Sequence, residues 1–183
     1  MARIYTKTGD DGTTGLLYGG RVDKSDDLVE VLGDIDEAVA ALGNARANSL
    51  DQPLADLLLH IQRGLFVVAA DLAASPRQRH RLEPGKSQVT AEMVDALEQE
   101  IDALVAQHPL RPLFVIPGST PTEAAIDFAR TVARRAERHV VRARADGHAV
   151  STDLLRYLNR LSDLLYVLAR QATGTGAEPA SHD

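Results

Sequence analysis

TPTEAAIDFARTVARRAERHVVRARADG, residues 120–147, is the stretch on which the fold turns. It opens with Thr120-Pro121-Thr122-Glu123, a capping box whose proline stands at the first helical position, where no N–H is needed. No breaker follows until about Ala145, after which Asp146-Gly147 closes the segment. The spacing predicts one long helix, and the same reading carries outward in both directions.

Downstream, Ser151 to Asp153 open a further helix with Leu154, Leu155, Leu158, Leu161, Leu165 and Leu168 inward. Upstream, Thr90 caps a helix that turns Met93, Val94, Leu97, Ile101, Leu104 and Val105 inward and ends before Pro109. Before it, Asp51 and Pro53 start a helix that runs Leu54, Leu57, Leu58, Ile61, Leu65, Val68 and Leu72 down one face until Ser75-Pro76. The first helix spans about 26–47, with Leu28, Val31, Leu32, Ile35, Val39 and Leu42 inward and Ser25 as its cap. Residues 77–86 are aperiodic and read as a basic connecting loop, and the apolar run Leu113-Phe114-Val115-Ile116 with Pro117-Gly118 leads into the helix at 121. Five amphipathic segments on short connections predict an all-α fold, an antiparallel five-helix bundle over 25–172. Residues 1–24 stand outside it as a Gly, Asp and Thr-rich loop, and 173–183 read as a flexible tail.

With 183 residues, 44% of them hydrophobic, the chain can bury one core and is too short for several domains. Aromatics are only 4%, which favours helices packed on aliphatic seams over a sheet sandwich. No cysteine is available for a disulfide or a thiolate nucleophile, and Met1-Ala2-Arg3-Ile4-Tyr5 lacks the apolar stretch of a signal peptide, so a cytoplasmic protein is expected. No run approaches the roughly 20 uninterrupted apolar residues of a membrane span. The net charge of -6 argues against nonspecific nucleic-acid binding, while leaving local basic clusters open to polyanions.

Residues 6–15, Thr6-Lys7-Thr8-Gly9-Asp10-Asp11-Gly12-Thr13-Thr14-Gly15, combine glycines that allow close backbone approach with hydroxyl donors and the charge of Lys7. Such a loop suits phosphates. It is not a Walker A element, since GxxxxGK[ST] is absent, and a flexible terminus is the other reading. On the helix at 121, offsets of 4, 7 and 8 put Arg130, Arg134, Glu137 and Arg138 on one stripe. Guanidiniums fork onto phosphate oxygens, so the stripe suits a polyphosphate, with Glu137 orienting its neighbours; a salt-bridged solvent face is the alternative. On the last helix, Arg156, Asn159, Arg160 and Asp163 lie away from the leucines, and Asn159 can both donate and accept, as nucleotide recognition requires. Asp34, Asp36 and Glu37 fit a Mg²⁺ site, an ion pair with Arg130 or a solvated acidic face. Neither HExxH nor Glu-x-x-His occurs, so no protein-bound catalytic metal is expected, and His60 and His139 read as packing or surface residues.

Taken together, Ile4-Tyr5-Thr6-Lys7-Thr8-Gly9-Asp10, Arg134-Arg135-Ala136-Glu137-Arg138 and Asn159-Arg160-Leu161-Ser162-Asp163 resemble the PduO-type cobalamin adenosyltransferases in order and spacing along nearly the whole chain. The resemblance implies a five-helix bundle of ferritin-like up-down topology, assembled as a homotrimer with ATP between neighbouring subunits. By motif position, Thr6, Lys7, Thr8, Gly9, Thr14, Gly15 and Lys24 look like ATP contacts from one subunit. Arg134, Arg135, Glu137, Arg138 and Asn159 look like contacts from its neighbour, with Mg²⁺ bridging the phosphates. Phe114 matches the position whose ring, in similar enzymes, displaces the lower ligand of cobalamin to leave four-coordinate Co(II), which eases reduction to Co(I). Asp36 and Arg130 match a pair used in similar proteins as a salt bridge near the corrin. One departure stands out: the family pattern Phe-x-x-Pro-Gly-Gly has Ser119 here in place of the second glycine, a side chain that bears on the turn carrying Phe114.

The implied reaction moves the 5′-deoxyadenosyl group of ATP onto cob(I)alamin. Cob(I)alamin is itself a strong nucleophile, so no triad is needed; the protein has to present the 5′ carbon and stabilise the leaving triphosphate through Arg134, Arg138, Lys7 and Mg²⁺. The resemblance further implies a cob(II)alamin reductase upstream and an adenosylcobalamin-dependent enzyme downstream as partners. Two other classes remain open on the residues. One is a noncatalytic ATP-binding sensor, which would have no use for Phe114; the other is a helical scaffold for acidic partners, which explains neither the terminal loop nor the motif order.

Overall fold

The computed structural model describes residues 4–173 and 178–180. Five helices carry it: α1 (Asp27–Asn48), α2 (Gln52–Ala73), α3 (Ala91–Gln107), α4 (Pro121–Ala145) and α5 (Thr152–Ala172). Their starts follow local chemistry. Thr120 accepts from the Glu123 N–H at 3.0 Å and Ser151 from the Leu154 N–H at 3.1 Å. The cap of α1 is Asp26, which accepts from the Leu28 N–H at 2.8 Å, one residue beyond the expected Ser25.

Successive helices run antiparallel. The cross-links fix this: Arg142 on α4 meets Asp27 on α1 at 2.7 Å, while Thr122 at the other end of α4 donates to the Asn48 carbonyl at 2.8 Å. Asn159 on α5 donates to Glu137 on α4 at 3.1 Å, and Arg160 on α5 pairs with Glu98 on α3 at 2.8 Å. The α1–α4 seam is built of small residues, with Ala38, Ala41 and Ala45 facing a surface that includes Ala129, Ala133, Ala136 and Ala143. Larger side chains, among them Leu58, Ile61 and Leu65 of α2 and Leu158, Leu161 and Leu165 of α5, fill the middle of the bundle. By length and composition α2 could cross a membrane, a point the count of uninterrupted apolar residues does not register. Here its inner stripe of Leu58, Ile61, Leu65, Val68 and Leu72 is packed in the bundle.

Three connecting segments differ from the sequence expectation. The chain before α1 contains a hairpin, β1 (Thr13–Gly15) against β2 (Arg21–Asp23), tied to the end of α2 where Leu17 donates to the Ala73 carbonyl at 2.8 Å and accepts from Ser75 at 3.0 Å. Part of the predicted basic loop is a 3-10 helix over Pro76–Arg81. The cause is Asp71, fully buried at the end of α2: its carboxylate is bonded to Arg79 and accepts from the Val89 N–H at 2.9 Å, which draws the segment inward. Lastly, β3 (Val115–Ile116) pairs with β4 (Glu178–Pro179). The tail expected over 173–183 lies partly outside the described residues; of those described, Thr173 is buried and Glu178–Pro179 form this pairing.

Gly64 of α2 marks the tightest passage between α2 and α5, because a Cβ built there falls 2.0 Å from the Tyr157 hydroxyl. Gly64→Ala is expected to destabilise the fold by roughly 1–3 kcal/mol through overpacking, read by urea denaturation, with partial recovery in the Tyr157→Phe background. Burial pushes the Tyr157 hydroxyl up to about 12. Its folded-state pKa thus exceeds the unfolded value, so its contribution is complete below about pH 10 and declines as pH rises towards 12. Tyr157→Phe should remove that part of the alkaline loss of stability, measured as melting temperature against pH.

Candidate functional site

The outer face of α4 carries two guanidiniums with no carboxylate partner among the described residues. Arg134 and Arg138 are both exposed, and Arg138 Nη1 donates to the Arg134 carbonyl at 3.1 Å. Asn159 of α5 donates to Glu137 at 3.1 Å, and its own carbonyl oxygen accepts from Arg160 at 2.6 Å, so the amide is oriented from both sides. A helix stripe with two free, permanently charged forks beside a fixed amide is suited to an anion with several oxygens.

Two of the expected site residues on α4 turn elsewhere. Arg135 faces α1, pairing with Asp34 at 2.9 Å and with Glu37. The hydrogen bond it donates to Asp34, with the charge of Glu37 adding to it, pushes the guanidinium above its usual range. Arg130 is bonded to Asp127 at 2.6 Å, one turn back on its own helix, while Asp36 is exposed. The expected Asp36–Arg130 pair is therefore absent from the single chain, because the i, i+3 carboxylate of Asp127 is closer to hand. Of the carboxylates considered for Mg²⁺ or for Arg130, Asp34 and Glu37 are instead engaged with α4: Glu37 joins Arg135, and Asp34 holds both Arg135 and His139, the latter at 2.5 Å.

Residues 6–15 form an organised loop ahead of the hairpin. Arg21, which the sequence reading missed, bonds the Thr8 carbonyl, reaches the Thr13 carbonyl at 3.2 Å and the Thr13 hydroxyl at 2.6 Å. Lys24 donates to the Gly9 carbonyl at 2.9 Å, and a Cβ at Gly9 would sit 3.1 Å from the Thr13 carbonyl, a tight contact that a glycine avoids. Asp11 is held below the usual carboxylate range by the Thr13 N–H, then the Thr13 hydroxyl, with a smaller contribution from Arg21. Thr6 and Thr8 share a hydroxyl bond of 2.8 Å, and Lys7 takes a left-handed φ of 61°. Thr14 and Gly15 belong to β1. The loop is thus prefolded, its carbonyls tied back by Arg21 and Lys24.

Phe114 is 85% exposed, which packing alone does not explain for an aromatic ring. Its carbonyl accepts from the Ala180 N–H at 2.9 Å, and the turn that follows is fixed by Glu123, whose Oε2 accepts from the Gly118 N–H at 2.7 Å and the Ser119 N–H at 3.0 Å. Gly118 takes a φ of 125°, whereas Ser119 lies outside the positive-φ region, so the serine fits where the family pattern has glycine. Behind this segment a cavity of about 790 Å³ opens between α2, α3 and α5, lined by Leu54, Leu57, Leu104, Leu113 and Leu168.

The profile of the cobalamin adenosyltransferase family matches residues 4–172. A corrinoid adenosyltransferase of Mycobacterium bovis is 42% identical over 179 residues, covering 96% of this chain and 91% of the relative. One from Citrobacter freundii is 41% identical over 170 residues, covering 93% and 94%. Among solved structures, a variant PduO-type ATP:corrinoid adenosyltransferase from Lactobacillus reuteri, complexed with cobalamin and ATP, superposes with a TM-score of 0.84 at 32% identity, covering 97% of this chain and 95% of that one.

Because Arg135 is spent on the α1–α4 seam, Arg135→Ala should act on stability rather than on nucleotide binding. We expect a loss of roughly 1–3 kcal/mol in urea denaturation, since Asp34 is left with His139 alone. The dissociation constant for ATP, by calorimetry, should change less than about threefold, under 1 kcal/mol.

Proposed function

The chain belongs to the cobalamin adenosyltransferase family, and on that premise we propose how its residues share the work. It transfers the 5′-deoxyadenosyl group of ATP to the cobalt of cob(I)alamin, giving adenosylcobalamin and triphosphate. Cobalt attacks the 5′ carbon, the Co–C bond forms as the C5′–O bond breaks, and the electron pair leaves on triphosphate. No protein nucleophile takes part. The enzyme has to orient ATP, neutralise the departing charge and keep water from the cobalt.

Arg134 and Arg138 fit the triphosphate, and the observation that carries this assignment is that these two exposed guanidiniums, one turn apart and beside the oriented Asn159 amide, have no carboxylate partner among the described residues. Asn159, oriented by Glu137 and Arg160, fits the nucleoside. The loop of Thr6, Lys7, Thr8 and Gly9, with Thr14, Gly15 and Lys24, fits the phosphates from the other side, and Mg²⁺ brought in with ATP would offset their charge. Phe114 fits the lower face of the corrin.

One chain does not bring these parts together. Arg142 beside Asp27 sets the hairpin end of α4, and Thr122 beside Asn48 sets the Phe114 end. The 20 residues between them span about 30 Å of helix. The nucleotide loop is tied at Lys24, just before α1, so it sits at the end remote from Phe114. A complete site thus takes the loop from one subunit and α4, α5 and Phe114 from the next. A homotrimer closes such a head-to-tail contact, and the exposed Phe128 and Val141 flanking the arginines on α4 suit an interface. An ATP sensor shares the nucleotide parts and has no use for an exposed Phe114.

The protein, mixed anaerobically with ATP, Mg²⁺ and chemically reduced cobalamin, should form adenosylcobalamin, seen by absorbance against a no-protein control. Binding of ATP without conversion would favour the sensor. Arg134→Ala should lower turnover by about 100-fold or more with little change in melting temperature; unchanged turnover would remove it from the mechanism. Phe114→Ala should keep ATP binding and lower adenosylation roughly 100-fold, to a residual rate that can still be measured.

A further inference from the structure

A chain of buried charge runs from the turn after Phe114 into α4 and α5. Glu123 is fully buried, Asp127 is 4% exposed and the Arg170 side chain 9%. The two oxygens of Glu123 are divided between partners: Oε2 takes the Gly118 and Ser119 N–H groups, and Oε1 takes Arg170 Nη2 at 2.7 Å. Arg170 also bonds Asp127, whose other oxygen holds Arg130 at 2.6 Å, and its Nη1 points to the Val115 carbonyl at 3.5 Å. Phe114 is thus followed by three backbone groups, at 115, 118 and 119, that are held by the Glu123–Arg170 pair.

We propose that Glu123 and Arg170 are positioning residues for the corrinoid step, setting the loop that presents Phe114 while leaving the nucleotide site untouched. The inference rests on the reading of Phe114 given above. Stability alone is a poor account of the pair. Burying a carboxylate and a guanidinium carries a desolvation penalty, a helix cap needs only the Thr120 hydroxyl already present, and Arg170 Nε is buried without an acceptor among the described residues. What the pair does supply is a rigid backbone at one turn, with both charges spent on its N–H and carbonyl groups. The ring of Phe114, 85% exposed, takes its orientation from its backbone, which the Glu123–Arg170 pair holds on one side and the Ala180 N–H on the other. Small misplacements matter at a reacting centre, where about 1 Å can cost on the order of 100-fold in rate.

The test is a double-mutant cycle with Glu123→Gln and Arg170→Lys, each made in the parent and in Phe114→Ala. Glu123→Gln keeps an acceptor for the turn but sets an amide against Arg170, and Arg170→Lys keeps the charge but cannot span all three partners. In the parent, each should lower kcat/KM for the corrinoid about tenfold or more, with the ATP dissociation constant within about twofold, an interaction range typical of coupled neighbours. In Phe114→Ala neither should cause further loss. Equal losses in both backgrounds, or a matching loss of ATP affinity, would overturn the proposal by making the pair merely structural, and so would unchanged corrinoid kinetics. If Phe114→Ala alone retains full turnover, the reading of Phe114 fails first and the proposal with it. Should Glu123→Gln not fold, the Arg170→Lys cycle gives the same decision.

Discussion

Asp34, 7% exposed in the middle of α1, is the contact on which the rest of the arrangement depends. The α1–α4 seam is mostly alanine, which lets the helices approach closely but leaves a smooth surface with little to fix rotation or register. A buried carboxylate that must be paired supplies what alanine lacks, and Arg135 and His139, four residues apart on α4, converge on it. Arg142 extends the same row to Asp27 and Glu30. With Arg135 turned inward, Arg134 and Arg138 lie together on one side of it, about 100° and 60° round the helical wheel, and are turned out. The pairing of one arginine thus exposes the other two.

From this follows the division of labour along α4. Its inner side is spent on packing, its outer side offers unpaired cations, and its first turn binds the loop bearing Phe114 through Glu123. The opposite end of the bundle organises the terminal loop by a different device, with Arg21 and Lys24 taking backbone carbonyls. An arginine and a lysine used this way hold the backbone of the loop in one shape. Placing the two halves at opposite ends means that helix length, about 1.5 Å per residue, sets the need for a second copy.

Much of this was legible in the sequence because it depends on local rules. The five helices follow from apolar spacing, Pro53 and Pro121, and the caps Thr120 and Ser151; the stripe of Arg134 and Arg138 follows from periodicity. Side-chain choice between neighbours was not legible. Arg134 and Arg135 are adjacent and chemically identical in sequence, and only the position of Asp34 across the seam separates a binding residue from a structural one. Arg130 was assigned to Asp36 by resemblance, whereas Asp127, an i, i+3 neighbour, holds it in the single chain. The hairpin at 13–23 escaped notice because its strands are three residues each, too short for an alternating pattern, and β3 pairs with a segment more than sixty residues away in the chain. Glu123 was legible as half of a capping box, but its reach to Gly118, Ser119 and Arg170 depends on tertiary contact.

The central claim, that each site draws its nucleotide loop and its Phe114 from different chains, is tested most directly by mixing two impaired variants. Lys7→Ala and Phe114→Ala proteins, each with only residual adenosylation of its own, are unfolded together and reassembled. If the site is shared between copies, about a quarter of the interfaces in a random mixture join an intact loop to an intact Phe114, and a corresponding part of the turnover returns. If each chain carries its own complete site, every site keeps one defect and the mixture stays at the residual rate.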